Sequence, residues 1–297
     1  MSTTIQHALD QAIEQFTQAQ LPTSPDYHTA RLDAQVLLSH VLHVERSTLY
    51  AYPERALTSE QEQRYFSLVQ RRAQGAPVAY LTGHKEFYDL DFLVDERVLI
   101  PRPETELLVE AALQVCRAKL DAGHIPVVAD IGTGSGVIPI TLAVQEPRLP
   151  YLYATDISSD ALAVASLNCQ RHHVEQRIHL LQGDLLAPLP EPVDVLTANL
   201  PYIGVEEMDI LDVDVRDYEP HIALFSGTKG LDLLERLFTD LARSRALSTG
   251  AVVLLEIGYR QRAALTSLVE TLWPHAHITF LKDYANWDRV LQVNLKG

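Results

Sequence analysis

Apolar residues recur along this chain at two different periods, and the change of period divides it. In the stretch 30–42 the apolar positions Ala34, Leu37, Leu38, Val41 and Leu42 fall three and four apart, the spacing that gathers one face of a helix. A second helix is predicted from Thr58, because Thr58 and Gln61 have the spacing of a capping box and Tyr65, Phe66 and Val69 follow on one side. Gly75 and Pro77 stop it. Residues 1–83 thus read as a small domain that is helical throughout. It carries no catalytic cluster and serves either to hold a partner or substrate or as a structural cap. Beyond it Leu90, Phe92 and Val94 alternate with polar residues, and Asp89 and Asp95-Glu96 mark turns. A β-hairpin linker is therefore expected over 84–100.

The third part, 101–297, alternates short apolar runs with helical patterns. A proline-framed approach, Ile100-Pro101-Arg102-Pro103, leads into a helix whose apolar face is Leu107, Leu108, Ala111, Ala112 and Val115. The runs 127–131, 151–155, 178–181, 192–198 and 251–256 read as buried strands of a parallel sheet with helices between them. Two last strands, 277–280 and 289–293, are joined by a segment too short for a crossover helix and should pair antiparallel. The stretch 212–219, with Asp212, Asp214, Asp217 and Glu219, reads as an acidic loop.

Composition narrows the function classes. The chain has 297 residues, enough for about two domains, with 47% hydrophobic and 21% charged residues, as in ordinary globular proteins. No apolar run has the length of a membrane span, and the first residues lack the charged and apolar pattern of a signal peptide, so a cytoplasmic location without a membrane partner is expected. Cys116 and Cys169 lie in separate helical patterns without ligand spacing, so neither a metal site nor a disulfide is indicated. The formal charge of −15 repels a phosphate backbone. No direct nucleic-acid contact is expected, and a basic protein is the better partner.

The candidate chemistry sits where strands end. Asp130 is the last residue but one of the run 127–131, which ends at Ile131, and Gly132-Thr133-Gly134-Ser135-Gly136 follows, with glycines at alternate positions where a ligand can approach the backbone. A dinucleotide fingerprint would place its third glycine one residue later. The spacing found here resembles instead the nucleoside-binding loop of S-adenosylmethionine-dependent methyltransferases. Asp156, at the end of the next strand, is placed to accept hydrogen bonds from a ribose diol. Asp184, after the third, is placed to accept from an adenine amine, with Leu185 packing on the ring. Each acid taken singly is also an ordinary helix cap. Their regular placement at successive strand ends is what points to a ligand.

At the end of the fourth strand stands Asn199-Leu200-Pro201-Tyr202. The Asn199 side-chain oxygen and the Leu200 carbonyl make two acceptors, and Tyr202 a flat wall, a set that fits a planar –NH2 group. A simple strand-ending turn would use similar residues.

Taken together, these stretches resemble the release-factor glutamine methyltransferases, the PrmC or HemK family. The resemblance runs through 77–83 and Phe87, 99–106, 130–136, the tetrad, Tyr218-Glu219-Pro220 and Leu255-Glu256-Ile257-Gly258. It implies an α/β fold: a seven-stranded Rossmann-like class I methyltransferase sheet with its last strands antiparallel, behind a small all-helical substrate-recognition domain. It also implies S-adenosyl-L-methionine as cofactor, class I peptide chain release factors as partners, and the glutamine of their Gly-Gly-Gln motif as acceptor. Asn199, Leu200, Pro201 and Tyr202 would be catalytic. Gly132, Thr133, Gly134, Ser135, Gly136, Asp156, Asp184, Leu185 and Asn199 would bind the cofactor. The family's usual tetrad is Asn-Pro-Pro-Tyr, and Leu200 departs from it at a position expected to contribute only a carbonyl. Two other functions use similar residues. A methyltransferase acting on the exocyclic amine of adenine fits the tetrad but not the net charge or the lack of a basic, aromatic recognition segment. A dehydrogenase-like or regulatory nucleotide-binding protein fits neither the glycine spacing nor the tetrad.

Overall fold

The structure is a computed structural model and describes residues 3–19 and 28–296. The stretch 20–27, inside the region expected to be helical, lies outside the described residues. The chain divides into two compact units, residues 1–84 with 210–218, and residues 85–209 with 219–297. Among the described residues no helix is long and apolar enough to cross a membrane.

The first unit contains the helices Ile5–Gln18, His28–Leu42, Arg46–Ala51, Ser59–Ala73 and Val78–Thr82. The capping box forms as the spacing predicts: Gln61 N donates to Thr58 Oγ1 at 3.2 Å and Thr58 N to Gln61 Oε1 at 3.0 Å. Ala34, Leu37, Leu38, Tyr65 and Val69 are fully buried together, so the two apolar faces meet. The Tyr65 hydroxyl donates to the Ala34 carbonyl at 3.1 Å, which satisfies the one polar atom that ring takes into the core. The stretch read as an acidic loop is in part a short helix, Val213–Tyr218, that belongs to this unit. Its Tyr218 packs against the helical core and donates to the Gln74 carbonyl at 3.0 Å. Those contacts are long-range, and the local run of carboxylates hides them.

The hairpin of β1, His84–Phe87, and β2, Leu90–Leu93, lies in the second unit from Lys85 onward. Tyr88 and Asp89 form its two-residue turn with φ of 52° and 59°, the left-handed pair that matches strand twist. The helix Thr105–Asp121 follows, then the sheet strands β3 (Val128–Ile131), β4 (Leu152–Asp156), β5 (Ile178–Gln182), β6 (Val193–Ala198), β7 (Leu247–Glu256), β8 (His277–Lys282) and β9 (Asp288–Asn294). They lie in the order β5-β4-β3-β6-β7-β9-β8. β3 to β7 are parallel, while β9 runs antiparallel to β7 and β8 antiparallel to β9, as the short last connection requires.

Helices cover both faces, so β3 and β6 are buried along their whole length and alternate residues enter separate cores. Val128 and Val195 pack with the helices Thr105–Asp121 and Val137–Gln145. Ala129, Ile131, Leu196 and Ala198 pack with Asp232–Arg243 and Arg262–Leu272. The order of the strands reverses at β3, whose neighbours β4 and β6 leave it in opposite directions. A crevice opens beyond the carboxyl ends of strands at such a reversal.

Candidate active site

A cavity of about 330 Å³ lies at that reversal, within the second unit. Its walls include Gly132, Thr133, Gly134, Ser135, Asp156, Asp184, Leu185, Asn199, Leu200 and Pro201. Four strand ends thus deliver side chains far apart in sequence to one wall. Gly136 and Tyr202, also expected at the site, do not line it.

The glycine loop is held by backbone hydrogen bonds, two of them to the end of β4. Gly132 N and Thr133 N both donate to the Thr155 carbonyl at 2.9 Å, and Gly136 N donates to the Thr133 carbonyl at 2.9 Å. Its glycines have different reasons to be glycine. A Cβ on Gly132 would come within 2.7 Å of Leu200 Cδ2, and one on Gly136 within 2.9 Å of Ile140 Cδ1. A Cβ on Gly134 would meet no protein atom within 4 Å. The first two glycines answer to the protein's own packing, and Gly134 leaves cradle space at the cavity wall. That is the provision a ligand lying on the loop needs.

Asp156 is fixed beside the loop, accepting from Gly134 N through Oδ2 and from Ser158 N through Oδ1, both at 2.9 Å. A carboxylate has about four lone-pair sites, so two bonds leave it able to accept from a vicinal diol. Asp184 is in an ion pair with Arg236, whose side chain also reaches the cavity. Leu185 adopts a φ of 47° and stays buried while lining the wall. Arg102, held between its prolines, pairs with the buried Glu219, which also accepts from Ile100 N at 3.2 Å. The donor set, the cradle and the apolar lining together fit S-adenosylmethionine.

The tetrad is tied to groups that the sequence reading did not single out. Asn199 Nδ2 donates to Thr105 Oγ1 at 3.2 Å, and Thr105 Oγ1 donates to Glu256 Oε2 at 2.6 Å. The Tyr202 hydroxyl donates to Glu256 Oε1 at 3.1 Å. Glu256, at the end of β7, is 1% exposed, and burial raises its pKa against the opposing pull of the Thr105 and Tyr202 hydroxyls. Burial and the nearby Glu256 charge raise the Tyr202 pKa, so Tyr202 remains a donor. The backbone is clamped as well. Gln261 Nε2 donates to the carbonyls of Tyr202 at 3.0 Å and Gly230 at 2.9 Å, and its oxygen accepts from Gly258 N at 2.9 Å. Asn168, fully buried, links the hairpin to the glycine loop by donating to the carbonyls of Leu93 at 3.0 Å and Ser135 at 2.9 Å. The strings 100–106 and 255–258 pointed to the right neighbourhood for Thr105 and Glu256. No local pattern pointed to Gln261, Asn168 or Arg236.

A reversed parallel sheet, a glycine cradle and an acidic residue at the tip of the next strand define an S-adenosylmethionine-dependent methyltransferase of class I fold. Residues 7–83 match the PrmC N-terminal domain, and residues 105–211 match the methyltransferase small domain. A release factor glutamine methyltransferase of Koribacter versatilis is 41% identical over 259 residues, spanning 86% of this chain and 87% of that one. One from Moorella thermoacetica is 42% identical over 260 residues, spanning 87% and 89%. The chain belongs to the release factor glutamine methyltransferases. Among solved structures, the catalytic domain of hMettl16 in complex with MAT2A 3′UTR hairpin 1 is similar in fold, with a TM-score of 0.56 at 14% identity, covering 82% of this chain and 86% of that one.

Proposed function

We propose that this chain methylates the side-chain amide nitrogen of the glutamine in the Gly-Gly-Gln motif of class I peptide chain release factors. The observation that carries the reading is Asn199 on the cavity wall with its amide nitrogen already bonded to Thr105, which leaves its oxygen as the group to meet an incoming –NH2. Membership of the family supports the choice of protein and residue.

S-adenosylmethionine, when bound, supplies a methyl carbon on a positively charged sulfur. Gly132 to Ser135, Asp156, Asp184 and Leu185 are the residues that would hold it. The acceptor is a weak nucleophile, because the amide lone pair is delocalised into its carbonyl. Orientation is therefore the main contribution the protein can make, and positioning of this kind supplies roughly 7–11 kcal/mol at the upper end. Asn199 Oδ1 and the Leu200 carbonyl would accept the two N–H groups and so fix the plane of the glutamine amide. In the displacement a nitrogen–carbon bond forms, a carbon–sulfur bond breaks, and the nitrogen then loses one proton to water. Tyr202 acts as an anchor for the loop through Glu256 and Gln261. In this reading residues 1–83 hold the protein substrate, and the hairpin over 84–100 links them to the methyltransferase domain.

The test is incubation of the full chain with labelled S-adenosylmethionine and either a purified release factor or duplex DNA, followed by mass mapping. Label on the glutamine of Gly-Gly-Gln is expected. Label on an adenine base instead would overturn the reading. Asn199→Ala should bind the cofactor nearly as well by calorimetry and lose about 100-fold or more in kcat.

A further inference from the structure

Nothing in Asn199 itself decides which end of its amide faces a substrate. The decision is made further along the hydrogen-bond chain. Glu256 accepts with both oxygens, from the Tyr202 hydroxyl at 3.1 Å and from the Thr105 hydroxyl at 2.6 Å. A hydroxyl has one proton to give. Because Thr105 gives its proton to Glu256, its oxygen can only accept from Asn199, and it takes Nδ2–H at 3.2 Å.

We propose that Thr105 and Glu256 are positioning residues that set the hydrogen-bond polarity of Asn199, so that the tetrad presents a carbonyl oxygen rather than an amine to the acceptor amide. The proposal rests on the proposed reading of the site as one that takes a planar substrate –NH2, the glutamine amide, since such a group requires an oxygen there. An inverted Asn199 would set amine against amine.

A carboxylate is the one side chain that can keep this order. Glutamine at 256 has a single acceptor oxygen, so whichever way it turned, either Thr105 or Tyr202 would have to accept instead of donate. If its amine faced Thr105, the threonine proton would turn to Asn199 and invert the amide. Core packing does not account for Glu256 either, because burying a carboxylate costs stability that an apolar residue would not. Thr105 is 2% exposed and begins the helix Thr105–Asp121, so its position is fixed by the backbone of a long element.

The test has two arms on the full chain. In the first, which needs no substrate, the side-chain amide of Asn199 is followed by nitrogen-15 NMR, its signals assigned by their loss in Asn199→Asp. One amide proton should be shifted downfield and slow to exchange in the wild type, should lose both properties in Thr105→Val, and should regain them in Thr105→Ser. An Asn199 amide unchanged in Thr105→Val overturns the proposal. In the second arm, turnover on a release factor is measured. Thr105→Val and Glu256→Gln should lower kcat by about 100-fold with the calorimetric affinity for S-adenosylmethionine unchanged, and Thr105→Ser should recover most of the loss. Thr105→Val added to Asn199→Ala should cost nothing further, since both act through one group. Additive losses, or a loss confined to KM, overturn the proposal. Should Thr105→Val not fold, Thr105→Ala, which also removes the hydroxyl that takes Nδ2–H, carries both arms. A wild type that leaves the glutamine unmethylated removes the substrate reading, while the NMR arm still decides the polarity.

Discussion

Asp130 is a buried carboxyl with no ion-pair partner among the described residues, and replacing it with asparagine should stabilise the protein at and above neutral pH. It is 1% exposed, and its Oδ1 accepts from the Thr197 hydroxyl at 2.8 Å. Its Oδ2 and the Thr133 hydroxyl both fall short of hydrogen-bond geometry. Burial pushes the pKa from 3.8 up to about 7, with the Thr133 and Thr197 hydroxyls pulling down and the Asp156 charge pushing further up. Between those two pH values the folded protein keeps a proton that the unfolded chain has released. Stability therefore falls as pH rises through that window and levels off above it. At about 1.4 kcal/mol per pH unit, the full cost is about 4 kcal/mol. Asparagine removes the charge, keeps an acceptor for Thr197, and puts an amine where Oδ2 lies, facing the Thr133 oxygen. Urea unfolding of wild type and Asp130→Asn, at intervals from pH 4 to 8, reads the difference. It should be near zero at the acid end and reach about 2–4 kcal/mol in favour of asparagine at the alkaline end. A difference independent of pH, or one that moves toward the wild type as pH rises, would refute the reasoning.

The remaining predictions concern the loop, the ion pair and the carboxylate under the tetrad. Gly132→Ala should cost about 1–3 kcal/mol in thermal melting, because φ is +72° and the new Cβ lies 2.7 Å from Leu200 Cδ2. Adding Leu200→Ala should recover part of that loss. Gly134→Ala meets no protein atom, so it should cost about 1 kcal/mol of backbone strain and weaken S-adenosylmethionine binding in calorimetry instead. Glu219→Ala removes the acceptor for both Arg102 and Ile100 N, and should destabilise by about 2 kcal/mol or more in urea unfolding. The kcat profile should show an acid limb above the usual carboxylate range. Burial makes Glu256 take up a proton at higher pH than a free glutamate, and that proton turns an acceptor oxygen into a donor; Glu256→Gln should abolish the limb.

The strand and helix framework was legible because its signals are local. Six consecutive buried residues in β6 and the alternation of Leu90, Phe92 and Val94 follow from how each element is covered. The cavity was legible for a related reason: strands of a parallel sheet all end on one side, so residues at four strand ends had to converge. What failed to show were contacts between elements. Thr105 precedes the apolar face of its helix and Glu256 ends an apolar run, and neither position reveals that the two meet across 151 residues of sequence. Tyr202, expected as a wall, turns its hydroxyl to Glu256, a buried carboxylate and so a strong acceptor within its reach. The helix Val213–Tyr218 was hidden by its acids, whose solvated side chains say nothing of the face that packs.

Leu200 fills the space a Cβ on Gly132 would need, which joins the glycine loop proposed to cradle the methyl donor to the tetrad proposed to orient its recipient. The two surfaces are less than the width of one methyl group apart, so neither can shift without displacing the other. Substitutions that adjust donor affinity at this glycine will therefore also alter turnover, and compensating changes should arise as pairs at 132 and 200.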